Sequence, residues 1–308
     1  MTSIYKSPLV SIVMPVYNSQ YYLRESIESI LNQNFTNFEF IIVNDFSTDK
    51  SKDIILEYKK RDSRIVFLNN LSNNGNYYSR NIGNKIAKGE FIAIMDSDDI
   101  AMFDRIGIQV EIMKREREIS AIGCDFYTFS DERKLELYRK EKDFQKNRIL
   151  LLKNNVALHS SLMIRHSDFR KINYYDENFL FSSDYDMLCK LSTIGQVVGI
   201  DEIIMKYRIH ENQISSKYNQ RQSYFADIIR LKYFNNLGFR LSEKEYYIYN
   251  KIMKNNTINN SETTIMHKII NSLRIQNKKN QVFNIELFNQ FLNMLKENII
   301  TIEDIQYT

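Results

Sequence analysis

Apolar residues in the first hundred positions fall in short, nearly unbroken runs, separated by segments of helical spacing. The runs are Leu9 to Val16, Phe38 to Val43, Arg64 to Leu68 and Phe91 to Met95. Runs of this length, apolar on both faces, read as buried strands of a parallel sheet. The intervening segments differ in period. Leu23, Ile27, Ile30 and Leu31 share one helical face. Ser47-Thr48-Asp49 offers an N-cap for a helix through Tyr58, and Asn76 to Lys88 has helix length. Strand and helix alternate four times, the pattern of an α/β sheet.

Beyond Asp99 the alternation loosens. Asp104 to Glu118 is expected to be a helix with Ile106, Val110 and Met113 inward. Ile119 to Phe129 and Leu135 to Tyr138 read as strands of a more antiparallel half. Phe144 to Leu152 reads as helix, His159 to Ile164 as a short strand, and Asp184 to Ser192 as helix. Val197 to Ile200 and Ile203 to Ile209 read as strands. From Lys217 only helical periodicity remains, as at Ile265, Ile269 and Leu273. The expected division is a unit of residues 1–215, with a boundary near Ser215, and a helical region of residues 216–308.

Composition adds bounds. The 308 residues are 43% apolar and 13% aromatic, enough for a sizeable core. Residues 216–308 hold 13 Lys and Arg against 8 Asp and Glu; residues 1–215 hold 29 against 30. The basic excess therefore lies in the C-terminal helices, where an anionic lipid surface or a solvated helical face would equally suit it. The slightly acidic remainder, lacking a basic–aromatic stripe, argues against nucleic-acid binding. Cys124 and Cys189 have no metal-ligand spacing and read as reduced, buried residues of a cytosolic protein. No secretory leader is expected, since Met1 to Ser7 leads straight into the first strand, and no apolar run is long enough for a transmembrane helix.

Candidate chemistry centres on the end of the fourth strand. Asp96, Asp98 and Asp99 follow Met95 within four residues. Ligands of open α/β sheets sit beyond the carboxyl ends of strands. Clustered carboxylates repel unless a proton or cation intervenes, so Asp-x-Asp there suits a hard divalent ion. The same residues would also serve as an acidic cap for the next helix.

Further motifs stand in a fixed order around this cluster: Val10 to Asn18 (VSIVMPVYN), Ile41 to Asp45 (IIVND) with Ser47-Thr48-Asp49, and Asn74-Gly75 with Arg80-Asn81. Then come Asp96 to Asp99, Asp184-Tyr185-Asp186 and Tyr207 to His210 (YRIH). Together they resemble the family 2 glycosyltransferases, inverting enzymes of GT-A fold. The resemblance spans roughly residues 9–215. It implies a Rossmann-like nucleotide-binding sheet with a mixed acceptor-side half, followed here by the helical C-terminal region.

The resemblance also implies roles. Pro15 and Tyr17 match the segment that packs on uracil, and Asp45 the acid that accepts from the base. Arg80 matches the arginine of the nucleotide pocket and Asp96 the acid at the ribose. Asp99 lies where the donor sugar is contacted. Asp98 matches the ligand of a Mn2+ or Mg2+ ion, and His210 a histidine that completes the metal shell or contacts the diphosphate. Asp184 matches the catalytic base, with Asp186 as competitor. The implied partners are a UDP-sugar and a glycan or lipid-linked oligosaccharide of bacterial surface polysaccharide: O-antigen, capsule or lipooligosaccharide. The implied place is the cytoplasm, with peripheral contact at the inner face of the membrane.

Two positions depart from the family: Phe46 stands where glycine is usual, at a place that favours positive φ, and Ser183 where glutamate is usual. These departures keep open a non-catalytic nucleotide- or glycan-binding module on the same fold. A sugar nucleotidyltransferase is the other alternative, although Pro15 to Gln20 has none of the Gly or basic residues its loop would carry. His159 is expected to be a satisfied core histidine, and His166 and His267 have no assigned role.

Overall fold

A computed structural model describes residues 7–130, 133–211, 213, 217–254 and 256–297. The expected boundary at Ser215 lies outside the described residues. The chain divides into two compact units, one of residues 1–144 with 156–222, the other of residues 145–155 with 223–308.

In the first unit the four apolar runs form β1 (Val10–Val16), β2 (Phe38–Asn44), β3 (Ile65–Asn69) and β4 (Phe91–Ile94). They lie parallel in the order β4-β1-β2-β3. Every residue of β2 and β4 is buried, which is why these runs do not alternate. The connecting helices are α1 (Leu23–Leu31), α2 (Ser51–Arg61) and α3 (Asn76–Ile86). On α1, Leu23, Ile27 and Ile30 are the buried stripe expected from spacing. The cap residue of α2 is Lys50, without a side-chain cap, rather than one of Ser47-Thr48-Asp49; Asp49 Oδ1 accepts from the Ser51 N–H at 2.9 Å just before it.

Two polar residues inside β1 and β2 hold the exit of α3. Ser11 Oγ donates to Glu39 Oε1 at 2.6 Å, and Lys88 N–H donates to that same oxygen at 2.7 Å. Gly89 N–H donates to Ser11 Oγ at 2.8 Å. A Cβ on Gly89 would lie 2.5 Å from the Ser11 nitrogen, so this close passage admits only glycine.

After the short β5 (Ile100–Ala101) comes α4 (Arg105–Arg115), with the inward residues expected of it. The apolar stretch from Ile119 is not one strand. It breaks at Gly123-Cys124 into β6 (Ile119–Ile122) and β7 (Asp125–Ser130), which belong to different sheets. Both halves are apolar because each packs into a sheet, so hydrophobicity alone could not show the break. Next come β8 (Arg133–Tyr138) and α5 (Phe144–Leu150). The segment from His159 opens with a 3-10 turn at His159–Ser161, and only Met163–Arg165 pairs as strand β9. The remainder is α6 (His166–Lys171), α7 (Ser183–Leu191), β10 (Gln196–Val198) and β11 (Ile203–Arg208).

Among the described residues, seven strands form the main sheet, order β10-β6-β9-β4-β1-β2-β3, in which β9 alone runs antiparallel to its neighbours. A second sheet has the order β5-β11-β7-β8. β11 delivers its carboxyl end alongside the loop after β4, since Arg208 N–H donates to Asp99 Oδ1 at 3.0 Å.

The second unit contains α8 (Asn219–Asn236, from residue 223), α9 (Glu243–Met253), α10 (Asn260–Asn280) and α11 (Ile285–Glu297). Capping boxes open two of them: Ser242 with Glu245, and Asn259 with Glu262. Ile269 and Leu273 are fully buried within α10, so this stripe is packed rather than presented to a surface. Residues 145–155 are bound into the same unit. Tyr249 Oη donates to Leu152 O at 2.9 Å, and Arg230 Nη2 donates to Lys153 O at 2.9 Å. Among the described residues no helix is long and apolar enough to cross a membrane.

Candidate active site

The loop after β4 brings Asp96, Asp98 and Asp99 together, with carboxylate oxygens within 4.8 Å of one another. Their surroundings differ sharply. Asp96 pairs with Arg80, whose guanidinium is fully buried and also donates to Met95 O at 3.4 Å. Desolvation, opposed by Arg80 and reinforced by Asp98, pushes the Asp96 carboxyl above its ordinary range. Arg80 is thus the charge partner of Asp96, held on α3 beneath the crevice.

Asp98 is partly exposed, and its Oδ2 lies 3.0 Å from His210 Nε2. The His210 ring rests against Tyr22, with centroids 4.8 Å apart. Asp99 faces the other way. It is fully buried, takes the Ser160 hydroxyl and the Arg208 N–H on its carboxylate, and receives Ser26 Oγ on its backbone carbonyl. Burial first, then repulsion from Asp98 and Asp96, raises its carboxyl well above the usual range. The resemblance puts Asp99 at the donor sugar; in the structure its carboxylate is engaged by the protein.

Arg208 ties these parts together. Its Nε donates to Asp98 O at 2.9 Å, it pairs with Glu25, and its guanidinium lies between Tyr22 and Phe129 at 4.5 and 4.4 Å from the ring centroids. Arg105 supplies a further positive charge below the loop. It is fully buried, donates to Ile94 O at 2.8 Å and to Gln109 Oε1 at 3.2 Å, and burial lowers it to about 10.

At the ends of β1 and β2 the loops are laced together. Asn18 N–H donates to Ser47 Oγ at 3.1 Å and Thr48 N–H to Asn18 Oδ1 at 2.8 Å. Tyr17 is half exposed on this rim, and so is Phe46, whose φ is 62°. Phe46 points to a differently shaped loop, but the positive φ of the family glycine is kept by this bulky residue, a conformation that costs about 1–3 kcal/mol. Pro15 is half-buried in β1. Asp45 is buried and accepts from Asn70 Nδ2 at 2.7 Å, Asn74 N–H at 3.1 Å and Gly75 N–H at 2.9 Å. It fastens the turn that starts α3, where Gly75 has φ 92°.

The first turn of α7 holds the remaining pair. Asp184 Oδ1 accepts from Tyr77 Oη at 2.9 Å. Desolvation dominates and raises its carboxyl, with the Tyr77 hydrogen bond acting in the opposite sense. Asp186 is buried and ion-paired with Lys190 at 2.5 Å one turn along the helix. His159 stacks edge-on against Tyr77 and Tyr175, and its Nε2 lies 2.8 Å from Tyr175 Oη. Burial and nearby Arg80 hold it well below its usual value, as a neutral ring beside the site. His166 bonds Gly89 O through Nδ1 at 2.9 Å, away from the carboxylates. Sequence reading did not single out Tyr77, Ser160 or Arg105. Their partners are 107, 61 and 11 residues distant, and only the fold makes them neighbours.

The chain, including the acidic loop after β4, matches a known family model, Glycosyl transferase family 2, over residues 11–172. The chain belongs to glycosyltransferase family 2. An uncharacterised glycosyltransferase of Methanocaldococcus jannaschii is 38% identical over 228 residues, covering 71% of this chain and 78% of the relative. One from Haemophilus influenzae is 32% identical over 246 residues, covering 75% and 76%. Among solved structures, the S. aureus TarS 1-349 complex with UDP-GlcNAc has a TM-score of 0.64 at 16% identity. That match covers 96% of this glycosyltransferase and 88% of the TarS chain; a longer TarS chain is covered over 53%. The mannosyltransferase PcManGT of Pyrobaculum calidifontis, in complex with GDP-Man and Mn2+, has a TM-score of 0.59 at 11% identity, covering 96% and 86%. The fold is GT-A, and the enzyme is a glycosyltransferase.

Proposed function

We propose that this glycosyltransferase moves a sugar from a UDP-sugar to a hydroxyl of a glycan acceptor, with inversion at the anomeric carbon, in bacterial surface polysaccharide synthesis. The observation that supports the reading is that Asp98, 3.0 Å from His210, and Asp184 both lie close enough to Asp96 for their charges to raise its carboxyl.

The donor set fits a hard divalent cation. Asp98 offers a partly exposed carboxylate, His210 an imidazole nitrogen beside it, and diphosphate oxygens can complete an oxygen-rich shell. Asp98 and His210 would hold the ion, with Asp96 near and Asp99 committed to the protein. Mn2+ or Mg2+ there supplies Lewis-acid stabilisation of the negative charge on the departing diphosphate. The other groups bind and orient. Tyr17 and Phe46 offer aromatic surface at the rim for the base, Pro15 lies beneath, and Asp45 shapes the pocket wall. Asp184 accepts the acceptor hydroxyl's proton as that oxygen bonds the anomeric carbon and the bond to the diphosphate oxygen breaks. One displacement needs one base and inverts the centre. Asp186 is the poorer base because Lys190 occupies it. The helical C-terminal region, beginning near residue 216, serves acceptor, membrane-surface or oligomer contacts in this reading. The acceptor is a glycan or lipid-linked oligosaccharide, reached in the cytoplasm at the inner membrane face.

The mannosyltransferase neighbour, solved with GDP-Man, keeps a GDP-sugar as the second reading. Melting curves with UDP, GDP and CMP, each with Mn2+ or EDTA, separate the two. A nucleotide at a hundredfold excess over its Kd stabilises by about 2.7 kcal/mol. A metal-requiring shift with UDP supports the proposal, and one with GDP moves the donor class. No shift with any nucleotide removes catalysis in favour of a binding module.

A further inference from the structure

Tyr77 is the second residue of α3 and lies outside every motif by which the site is read. Its ring is 9% exposed. The hydroxyl lies 2.9 Å from Asp184 Oδ1 and accepts the Asp184 backbone N–H at 3.4 Å. Because this oxygen takes the N–H, its own hydrogen is directed to the carboxylate. One residue thus holds both the main chain and the side chain of Asp184.

The ring itself has little freedom. It stacks at a tilt on Tyr175, centroids 5.2 Å apart, and meets the edge of His159 at 6.3 Å. Tyr175 is clamped by Asn81, one turn further along α3. Asn81 Nδ2 donates to Tyr175 O at 3.0 Å, and Tyr175 N–H donates to Asn81 Oδ1 at 3.1 Å. The two contacts make a reciprocal amide pair. Asn81 also donates to Glu177 Oε1 at 2.7 Å. The loop leading into α7 and the hydroxyl that meets Asp184 are therefore carried by one rigid helix.

We propose that Tyr77 is a positioning residue for the transfer step, its hydroxyl fixing the orientation in which the Asp184 carboxylate meets the acceptor hydroxyl. This rests on Asp184 being the base. A tyrosine suits the task because its two side-chain torsions are set by ring packing and its donor sits at the tip. Desolvation and the charge of Asp184 hold the phenol well above 10, so it stays a donor throughout the working range. Arg80 favours the charged form of Asp184, and the Asp184 charge in turn raises Asp96 and the phenol of Tyr175.

The test compares Tyr77→Phe, which keeps the ring, with Asp184→Asn. UDP release is followed against pH with UDP-glucose, UDP-galactose and UDP-N-acetylglucosamine, water serving as acceptor. UDP affinity and melting temperature are measured alongside. Tyr77→Phe is expected to lower kcat about tenfold or more, leaving the donor KM and UDP affinity within about twofold. The acid limb of the kcat profile is expected at higher pH, because the lost hydrogen bond had favoured the charged carboxylate. A 13C carboxyl titration, with Asp184→Asn identifying the resonance, reads that shift without any donor. Unchanged kcat and an unmoved Asp184 titration in Tyr77→Phe, with Asp184→Asn inactive, overturn the positioning role alone. Wild-type turnover by Asp184→Asn overturns the base assignment and this inference with it. Loss of UDP binding in Tyr77→Phe means that α3 has collapsed, and overturns a role confined to orientation.

Discussion

The loop after β4 and the first turn of α7 each carry a close pair of aspartates, and each pair is split by its surroundings. In the loop, Asp98 stays partly exposed beside His210, whereas Asp99 is buried under Ser160 and Arg208. On the helix, Asp184 meets the Tyr77 hydroxyl, whereas Asp186 is buried against Lys190. On the proposed reading, each pair has one member available for chemistry and one engaged elsewhere in the protein, Asp99 by Ser160 and Arg208 and Asp186 by Lys190. Residue type is the same in both roles, so what separates them is the partner that the fold supplies.

The largest effect should come from splitting the helix pair. Asp184→Asn is expected to lower kcat by about 10²–10⁴-fold, the usual worth of a positioned base, with Asp186→Asn within about threefold of wild type. Steady-state UDP release measures both, and the reverse ranking would exchange their roles. The raised carboxyl of Asp184 has a pH consequence. The base works only when ionised, so kcat is expected to fall as pH drops through a value above the ordinary 3.8 of an aspartate.

Splitting the loop pair comes next. Asp98→Asn is expected to abolish the Mn2+-dependent binding of UDP, as seen in titrations with and without EDTA, while leaving the melting temperature of the free protein nearly unchanged. Asp99→Ala should do the opposite. It strips the Ser160 hydroxyl and the Arg208 N–H of their acceptor, at about 1–3 kcal/mol for each buried donor. Asp99→Asn should be milder at neutral pH. A carboxyl raised in the fold contributes its full stability below the unfolded 3.8 and loses it as pH rises through the folded value. A neutral amide escapes that loss. Urea denaturation at two pH values tests the order.

The smallest effect concerns the rim. Phe46→Gly relieves the left-handed backbone, worth about 1–3 kcal/mol, against about 0.5–1 kcal/mol of added chain entropy. A net gain near 1 kcal/mol is expected in thermal unfolding. Weaker UDP binding in the same variant would show that the ring is kept for the ligand.

Much of the first unit was legible because parallel strands buried on both faces leave continuous apolar runs, as in β2 and β4. The motif order located the crevice for the same reason: Asp45, Asp96 and His210 all sit where strands end. Direction was not legible. Nothing in the run Asp96 to Asp99 distinguishes the carboxylate that turns inward, because Ser160 and Arg208 lie 61 and 109 residues away. The break of the Ile119 stretch into two sheets was hidden because both halves are apolar. Phe46 is the converse case, where a family glycine had already marked the backbone shape.

The interleaved connectivity has a consequence for the order in which the protein is made. Residues 145–155 belong with residues 223–308, so they leave the ribosome before any of their partners exist. At about 5–20 residues per second the wait lasts roughly 3–14 s. Throughout it Ile149, Leu151 and Leu152, all buried in the finished molecule, lack the helices that complete their unit. A chain cut after Gln222 would stay in that state permanently. The C-terminal helices are therefore no detachable appendage: removing them would leave residues 145–155 without the rest of their unit.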